Sequence, residues 1–336
     1  MPSNHSAFHQ LLVASTEKGQ RLDRYVAANC PELSRTRVQE LIAAGLILVD
    51  ARPGKGAHRL RGGELITVHT QPRPPLRAEA ESILLDILYE DADVIAVNKP
   101  AGMTVHAGAG TTRGTLVNAL LGRGQSLSQG GDALRPGIVH RLDKGTSGII
   151  LVAKNDAAHV KLSEAFRQRQ IKKIYIALVQ GLLKQDRGTI ALAIARDPRR
   201  RTRMTARRSI VLSNAREART DWHVLARLDL ASLLEVQLHT GRTHQIRVHL
   251  SALHHPVVGD VLYGASARLH VGKVALPALD RNFLHAAKLG FAQPSTGAWV
   301  DLCAPLPQNL RTYLQQLAAA AGVPLARIDA ALATYL

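Results

Sequence analysis

A proline-rich segment near residue 71 places the strongest constraint on how this chain folds. The run Gln71-Pro-Arg-Pro-Pro75 lacks most of the amide protons that a helix or a sheet requires. We therefore expect an extended linker over residues 71–82, between a small N-terminal domain and a much larger one. With 336 residues, the chain is long enough for two domains.

The sequence before the linker predicts two helices followed by a small β element. After a polar tail over residues 1–14, the predicted N-terminal domain spans residues 15–70. Ser34 is a typical N-cap for the second helix, and Gly45 is a typical stop. The predicted apolar faces are Leu22, Tyr25 and Val26 in the first helix and Val38, Leu41 and Ile42 in the second, and the predicted strands cover residues 46–49 and 65–68.

The sequence after the linker alternates irregularly between strand-like and helix-like segments. This order favours an α+β domain over residues 83–310, with a mixed or largely antiparallel sheet and no regular βαβ array. A tail rich in Ala and Leu, residues 311–336, is predicted to be helical. The predicted strands cover residues 94–97, 149–153, 174–179 and 233–238, and the predicted helices cover residues 115–121 and 156–168.

The charge of the chain indicates the class of its partner. The formal net charge is +17 and the sequence pI is about 10.5. A basic surface gains affinity for a polyanion by releasing condensed counterions, so we expect nucleic acid. Anionic lipid is the weaker alternative, because the sequence has no basic amphipathic helix or lipidation signal.

Cysteines and hydropathy exclude several other classes of protein. Cys30 and Cys303 form no C-x-x-C pair, so neither a disulfide scaffold nor a cysteine zinc site is supported. No apolar run reaches the ~18 residues that a membrane span requires. The first ten residues lack the apolar stretch of a secretory signal. We therefore expect a cytoplasmic protein without a membrane partner.

Arginines concentrate in two parts of the chain. The two N-terminal helices carry arginines that are badly placed for a core and well placed for phosphates. Residues 196–208 hold seven more with almost no opposing charge, so this run is either a solvated loop or an arm that grips RNA, and we favour the arm. The predicted RNA-binding residues are Arg21, Arg24, Arg35, Arg37, Arg199, Arg200, Arg201 and Arg203.

One glycine-rich segment offers a candidate for catalysis. The run Gly137-Ile-Val-His-Arg-Leu-Asp-Lys-Gly-Thr-Ser-Gly148 directly precedes a predicted strand, and its last four residues favour a tight turn. The turn would hold Asp143 on a short loop, where an ionised carboxylate serves as a nucleophile or an electrostatic stabiliser. From composition alone, the favoured alternative to a catalytic role is that Asp143 only closes a surface turn.

Three other chemistries find little support. Ser147 lies in a Gly-Thr-Ser-Gly run, which does not match the G-x-S-x-G sequence of serine hydrolases. Residues 108–114 are rich in glycine but lack the G-K-[ST] end of a phosphate loop. His239, His244 and His249 recur at intervals of five, which does not place metal ligands on one helical face. We therefore predict no metal site.

The Asp143 segment resembles the catalytic loop of a known family. His140-Arg-Leu-Asp143 with Thr146-Ser-Gly148 is similar to the motif of the RluA family of pseudouridine synthases. Similar segments recur in the family's order and extend the resemblance over about residues 15–307. These segments are Asn98-Lys-Pro-Ala-Gly-Met-Thr-Val-His106, Lys173-Ile-Tyr-Ile-Ala-Leu-Val179, Thr240-Gly-Arg-Thr-His-Gln-Ile-Arg-Val-His249, Gly259-Asp-Val-Leu-Tyr-Gly264 and Phe283-Leu-His-Ala286.

The resemblance also implies a substrate. Residues 22–68 resemble the S4 RNA-binding module that often precedes this catalytic domain. With the run Val105-His-Ala-Gly-Ala-Gly110, they are most similar to the RluD branch, although Ala107 departs from the proline expected there. The implied function is therefore isomerisation of uridine to pseudouridine in structured RNA. Large-subunit (23S) ribosomal RNA, free or in a pre-ribosomal particle, is the implied partner.

Three catalytic roles follow from the resemblance. Asp143 corresponds to the catalytic aspartate, which attacks either C1′ of the ribose or C6 of the base. Tyr175 corresponds to the tyrosine that packs on the target base and helps to remove its C5 proton. Arg247 corresponds to the arginine that pairs with the catalytic carboxylate.

Three further residues are expected to bind the substrate. Arg141 corresponds to the side chain that fills the space left by the flipped nucleotide, and Leu284 and His140 are expected to contact the nucleotide. The reaction conserves atoms and mass, so we expect neither a cofactor nor a metal, and we expect a monomer. The alternative is a catalytically silent RNA-binding or ribosome-assembly factor with the same fold.

Overall fold

The computed structural model describes residues 8–31, 33–70, 78–107, 111, 113–130, 134–200, 202–207 and 215–335. Most of the predicted linker and the predicted RNA-binding residue Arg201 lie outside these ranges. Within the described ranges are one four-stranded sheet, one nine-stranded sheet and two short two-stranded ribbons. None of the described helices is long and apolar enough to cross a membrane.

The N-terminal elements form a sheet that packs against two helices around its own core. In chain order they are β1 Phe8–Leu12, α1 Leu22–Asn29, α2 Arg35–Ala43, β2 Ile47–Val49, β3 Arg52–Pro53 and β4 Leu65–His69. The strand order is β1-β4-β2-β3, and all pairs are antiparallel. Leu22, Val38 and Leu41 are buried beneath the sheet. Both predicted helices and both predicted strands are confirmed.

The ends of α2 follow the predicted signals. The Ser34 hydroxyl accepts a hydrogen bond of 3.2 Å from the Arg37 amide, which satisfies one unpaired donor of the first turn. The helix ends at Ala43, and Gly45 adopts a φ of +71° that most other residues avoid. The chain can therefore turn directly into β2.

The prediction of a polar tail over residues 1–14 is wrong for its second half. Strand β1 pairs with β4 over five residues, from Phe8 to Leu12. Leu11 packs against the N-terminal core, and Val13 is buried just beyond the strand. Among the side chains that the structure describes here, residues 9–13, these two apolar residues face inward, which is too short a pattern to identify a strand in a sequence.

The larger unit is built on a sheet in which one pair of neighbouring strands is parallel. Its strand order is β5-β6-β7-β16-β8-β13-β12-β9, with β17 also paired to β16. Among the described strands of this sheet, only β7 and β16 run parallel, so the predicted mixed, largely antiparallel sheet is confirmed. The elements are β5 Asp86–Glu90, β6 Val94–Lys99, α3 Leu116–Gly122, β7 Ser147–Ala153, α4 Asp156–Arg167, β8 Lys172–Gln180, β9 Arg187–Ile190, β10 Ala193–Arg196, β11 Met204–Arg207, β12 Thr220–Leu228, β13 Ala231–Leu238, α5 Gln245–Ala252, β14 His270–Val271, β15 Val274–Ala275, β16 Leu284–Ala292, β17 Trp299–Cys303, α6 Gln308–Ala320 and α7 Leu325–Leu332.

Helices cover both faces of this sheet at its centre. On one face, Ile95 and Val97 of β6 join the main core together with Leu116 of α3. On the other face, Ala96 of β6 packs in a second core with Leu162 of α4. Strand β7 is therefore buried along its whole length, which explains why its sequence is apolar without alternation.

The parallel pair brings two distant loops together. Gly148 in β7 has a φ of +112°, and a Cβ atom there would collide with the backbone of Ala286 in β16. Glycine therefore permits the two strands to approach closely. As a result, the loop that precedes β7 lies beside the start of β16.

The C-terminal segment is part of the large core. Helix α6 begins at Gln308, so the predicted boundary at Arg311 falls inside a helix. Leu314, Leu317 and other apolar residues of this helix are buried in the main core, and the Tyr335 hydroxyl donates a hydrogen bond to the Glu235 carboxylate. The prediction of helix is confirmed, but the boundary at residue 311 is wrong because burial continues across it.

Candidate active site

A cavity of about 350 Å³ opens where the loop before β7 meets the start of α5. Asp143 and Arg141 line it from the loop, and Tyr175 lines it from β8. Leu284 at the start of β16 and Arg247 of α5 complete the side that faces Asp143. The fold therefore gathers the three predicted catalytic residues in one place.

Backbone hydrogen bonds hold Asp143 on a tight turn. The Thr146 amide donates to the Asp143 carbonyl at 3.0 Å, as the glycine-rich sequence predicted. The Gly102 amide donates to the Lys144 carbonyl at 2.8 Å and fixes the turn from outside. Leu142 is buried beside it. The carboxylate thus projects from a loop with little freedom to move.

The Asp143 carboxylate is paired with Arg247. Arg247 NH1 donates to Asp143 Oδ2 at 3.0 Å. The same guanidinium donates from Nε and NH2 to the two oxygens of Asp260, at 2.6 and 2.9 Å. Burial alone would lower the pKa of Arg247, but Asp260 and Asp143 outweigh it and raise that pKa. The guanidinium is therefore a fixed cation beside the candidate nucleophile.

Tyr175 and Leu284 form the apolar wall of the cavity. Their side chains are 7% and 3% exposed, on neighbouring strands β8 and β16. Burial, and secondly the charge of Asp143, raises the pKa of the Tyr175 phenol. Tyr175 is therefore a neutral ring at neutral pH, suited to packing against a flat ligand.

Arg141 and His140 take different positions on the loop. Arg141 is exposed at the cavity, as its predicted role requires. His140 lines the cavity wall, but its Nε2 accepts from the Leu151 amide at 2.8 Å and its ring stacks on Phe166 at 4.5 Å. Burial, and secondly the charge of Lys173, lowers the pKa of His140 to about 3. A neutral His140 therefore anchors the loop to β7, and its Nε2 is turned away from the cavity.

Three residues of the site had no predicted role. His244 lies directly before α5, and its Nε2 is 3.9 Å from Asp143 Oδ1. Asp260 holds Arg247, and the ring of Tyr263 lies 4.9 Å beneath the same guanidinium. All three lie in segments that resemble family motifs, but sequence spacing does not show which side chains meet.

A buried lysine supports the loop from behind. Lys99 is 0% exposed, and its Nζ donates to the carbonyls of Pro100 and Met103 at 2.8 and 2.9 Å. Burial, and secondly the positive charge of Arg281, lowers the pKa of Lys99 to about 7. These bonds close the turn that contains Gly102, which contacts the Asp143 loop.

The three regularly spaced histidines have separate partners. His239 contacts Asp221 at 2.6 Å, and His244 Nδ1 contacts the Tyr263 hydroxyl at 2.8 Å. His249 contacts the Thr220 hydroxyl at 2.8 Å. Among the residues that the structure describes, no group of three or more His, Cys, Asp or Glu side chains could hold a metal ion.

The described part of the arginine-rich run lies in the β10–β11 hairpin. Arg199 and Arg200 are exposed, and their amides donate to the Asp197 carboxylate at 2.8 and 3.2 Å. The guanidinium of Arg203 lies 5.1 Å over the ring of Tyr263. Within the described residues, the hairpin therefore packs on Tyr263, which contacts the cavity residues His244 and Arg247, and it exposes Arg199 and Arg200 at its turn.

The N-terminal arginines do not form one exposed set. Arg24 is exposed, whereas Arg21 and Arg35 both donate to the buried Asp23, at 2.9 and 2.8 Å. Arg37 is 8% exposed and pairs with Glu40 at 2.9 Å. The expectation that all four are badly placed for a core is wrong for Arg37, because its pairing with Glu40 permits burial.

Taken together, these groups suit covalent or electrostatic catalysis on a flat, polar ligand. An anchored carboxylate faces a cavity with a neutral aromatic ring on its wall, and a guanidinium fixes one of its oxygens. Such a carboxylate is placed to attack an electron-poor carbon or to stabilise a developing cation.

Comparison with known proteins gives consistent matches. Residues 93–252 match the family described as RNA pseudouridylate synthase. An uncharacterized RNA pseudouridine synthase of Chloroflexus aurantiacus is 47% identical over 308 residues, which cover 91% of this chain and 93% of the relative. The ribosomal large subunit pseudouridine synthase D of Xanthomonas campestris is 38% identical over 317 residues, 93% of each chain.

A solved structure gives the same match. The human RNA pseudouridylate synthase domain containing 1 protein superimposes with a TM-score of 0.52 and 30% sequence identity. The match covers 71% of this chain and 97% of the human one.

Proposed function

This chain belongs to the RNA pseudouridylate synthase family and is an RNA pseudouridine synthase, and we propose that it modifies uridines of large-subunit ribosomal RNA with Asp143 as its catalytic carboxylate. The observation that carries the proposal is the Asp143–Arg247 pair, 3.0 Å apart, at a cavity also lined by Tyr175. The enzyme is an isomerase, since pseudouridine has the same atoms as uridine.

The net reaction replaces the glycosidic bond between C1′ and N1 with one between C1′ and C5. The C1′–N1 bond breaks, the base turns and C1′ joins C5. C5 then loses its proton, N1 gains one, and the bond formed by the attacking Asp143 breaks again to release the carboxylate. Asp143 attacks either C1′ or C6, and Arg247 holds its second oxygen. Because the detached base must not escape, the buried wall of Tyr175 and Leu284 supports retention better than an open site would.

Tyr175 has a limited role in this proposal. Its raised pKa keeps the phenol protonated at neutral pH, so it is a poor general base as phenolate. We assign it to packing on the target uracil, where ring stacking contributes about 1–3 kcal/mol per base. If Tyr175 helps to remove the C5 proton, it does so as a neutral phenol and not as a phenolate.

The target uridine has to leave its stack before it reaches Asp143. Extrusion of a base costs a few kcal/mol and least where the base is already unpaired. Arg141 is exposed beside Asp143 and is assigned to the space that the nucleotide leaves. His140 and Leu284 are assigned to the wall against which the flipped nucleotide rests.

RNA outside the cavity has two proposed contacts. The hairpin exposes Arg199 and Arg200, and we propose that they contact phosphates of the strand that flanks the target uridine. The N-terminal unit is proposed to act as an S4-like docking module, with Arg24 exposed on its surface. Arg21 and Arg35 remain candidates, because each is partly exposed while paired with Asp23.

The names of two relatives support the proposed class of RNA substrate. Two relatives at 38% and 41% identity, of Xanthomonas campestris and Xylella fastidiosa, are named ribosomal large subunit pseudouridine synthase D. We propose the same class of RNA for this chain, as free RNA or in a pre-ribosomal particle, and therefore a cytoplasmic location. A monomer and a reaction without cofactor remain part of the proposal.

Site mapping tests the proposal. Unmodified large-subunit ribosomal RNA is treated with the purified protein, and pseudouridines are located by carbodiimide-stopped reverse transcription. Stops at discrete uridines that are absent with Asp143→Ala are expected. No stops on that RNA, with stops on transfer RNA, would contradict the substrate. Unchanged stops with Asp143→Ala would contradict the assignment of Asp143, and no stops on any RNA would favour the silent binding factor.

A further inference from the structure

The β10–β11 hairpin is seated on the active site through one tyrosine. Tyr263 is 2% exposed and packs with Ile194 of β10 and Val248 of α5 in a small separate core, to which Met204 of β11 also belongs. The Met204 amide donates to the Tyr263 hydroxyl at 2.9 Å. The tyrosine therefore contacts the hairpin with both its ring and its oxygen.

The same hydroxyl contacts His244. Tyr263 Oη lies 2.8 Å from His244 Nδ1. Because the Met204 amide already donates to this oxygen, the hydroxyl proton is free to be donated to Nδ1. A neutral His244 whose Nδ1 accepts must carry its proton on Nε2. The contact of the hairpin with Tyr263 thus favours the tautomer of His244 that is protonated on Nε2.

The protonated nitrogen of that tautomer faces the candidate nucleophile. His244 Nε2 is 3.9 Å from Asp143 Oδ1, whereas Arg247 binds Oδ2. A distance of 3.9 Å is too long for a hydrogen bond. A shift of about 1 Å would form one, and catalytic contacts commonly shorten in this way when the substrate binds.

Backbone geometry holds His244 at this place. Its φ is +56°, in the left-handed region that non-glycine residues rarely adopt, directly before the first turn of α5. The Ser251 hydroxyl of α5 donates to the Tyr263 carbonyl at 2.7 Å. A strained residue persists only where its surroundings fix it, and such positions concentrate at functional sites.

Charged groups face His244 from every neighbouring element. The charged groups are Asp143 and Arg141 from the loop before β7, Arg247 from α5, and Asp260 directly before the 3₁₀ turn Val261–Tyr263. The titratable Tyr263 of that turn contacts His244 directly, and Arg203 of the hairpin lies over the Tyr263 ring. Burial is the largest influence and lowers the pKa of His244, with opposing effects from Asp143 and Arg247. The neutral imidazole therefore predominates at neutral pH.

We propose that Tyr263 and His244 couple RNA binding at the arginine-rich hairpin to the catalytic carboxylate. RNA that binds Arg199 and Arg200 presses the hairpin onto Tyr263, and His244 then donates from Nε2 to Asp143 Oδ1 and orients it for attack. Both are positioning residues. The inference rests on the proposed function, since it needs Asp143 as the nucleophile.

Single-turnover rates on a modified RNA test the positioning role. His244→Ala is expected to lower the maximal rate by about 100-fold. His244→Gln, whose amide supplies an N–H near the position of Nε2, is expected to retain the rate within about 10-fold, and Tyr263→Phe to lower it by about 10-fold. Half-saturating RNA concentrations should change little. Tyr89→Phe, which removes a half-buried hydrogen bond from the hydroxyl to Asp91 outside the site, is the control.

A pH profile separates positioning from a purely structural role. Protonation of His244 would occupy Nδ1 and abolish acceptance from Tyr263, so the wild-type rate should fall on the acid side. The glutamine of the His244→Gln variant cannot be protonated in this range, so the rate of this variant should begin to fall at a lower pH than that of the wild type. Equal acid limbs for the two proteins would contradict the role of His244. Thermal unfolding of each variant separates lost positioning from lost folding.

A double-mutant cycle tests the coupling itself. Arg199→Ala with Arg200→Ala should lower the single-turnover rate at saturating RNA in the wild type and have little further effect in Tyr263→Phe. Additive effects would overturn the coupling. If Asp143→Ala is inactive while Tyr263→Phe and His244→Ala match the wild type, the inference is wrong and the proposed function stands. A wild-type protein without activity on any RNA would overturn both.

Discussion

Asp260 accepts two hydrogen bonds from Arg247, at 2.6 and 2.9 Å, and so leaves NH1 of the guanidinium directed at Asp143. The side chain of Asp260 is 2% exposed and that of Arg247 is 11% exposed. A bidentate pair fixes the plane of the guanidinium as well as its position. The orientation of the candidate nucleophile therefore depends on a residue that does not touch it.

Replacing Asp143 should abolish catalysis and spare binding. Asp143→Ala removes the carboxylate that faces the cavity, so pseudouridine formation should fall by about 10⁴-fold or more. RNA affinity should stay within about threefold, because phosphate contacts supply most of it. Product formation and a filter-binding titration measure the two quantities. Asp186→Ala, which removes an exposed partner of Arg227, is the matched control.

Replacing Asp260 should lower the rate of pseudouridine formation, because Arg247 would no longer hold Asp143 in place. Asp260→Asn keeps the shape of the side chain but loses its charge and one acceptor, so Arg247 gains freedom to turn. A shift of about 1 Å at a reacting group costs up to about 100-fold in rate, and we expect 10- to 100-fold here. The free energy of unfolding should also fall by about 1–3 kcal/mol. If Asp260→Asn kept the wild-type rate, the orientation of Asp143 would not depend on Asp260.

Much of the fold follows from local signals in the sequence. Strand β7 was predicted because its buried faces produce a continuous apolar run, and α2 because Ser34 and Gly45 mark its ends. Strand β1 and the continuity of α6 across Arg311 were missed. In both cases burial against distant residues, and not the local pattern, decides the structure.

The candidate site was also only partly predictable from the sequence. The tight turn at Asp143 was predicted from its glycines, and its role came only from the family resemblance. Arg247 lies 104 residues further along the chain, so no spacing rule could place it beside Asp143. His244 and Asp260 became visible only when the fold placed them around that pair.

Acid should destabilise the protein through a buried histidine. His285 is 0% exposed, where Nε2 is 3.1 Å from the Ala304 carbonyl and Nδ1 is 2.8 Å from the Ser147 hydroxyl. Burial lowers its pKa to about 4, below the ordinary value of about 6.5. The unfolded chain therefore binds this proton first as the pH falls.

The contribution of His285 to stability depends on pH between about 4 and about 6.5. A depressed pKa contributes stability that is fully present above about pH 6.5 and is lost as the pH falls toward about 4. The loss amounts to about 3 kcal/mol over that window. Urea unfolding at a series of pH values measures it, and His285→Gln should show a smaller decline. His58→Gln, at a partly exposed histidine, is the control. Equal declines in both variants and the wild type would contradict the assignment.

Removing the hairpin arginines should weaken RNA binding in a salt-dependent way. Arg199 and Arg200 are exposed at the hairpin tip, and neither side chain is needed for the Asp197 contacts, which use backbone amides. Arg199→Ala with Arg200→Ala should therefore leave the fold intact. Each phosphate contact on a single strand contributes a slope of about 0.7 in log affinity against log salt. The double variant should flatten the slope by about 1.4.

Exposed cations away from the cavity provide the control for this prediction. Arg327 on α7 and Lys184 after β8 are exposed, and Arg327→Ala with Lys184→Ala changes the net charge by the same amount. If the hairpin grips RNA, only the hairpin variant should flatten the slope, because counterions are released only where phosphates are neutralised. Equal flattening in both variants would reveal a diffuse effect of net charge. An unchanged slope in both would show that the hairpin tip is a solvated loop.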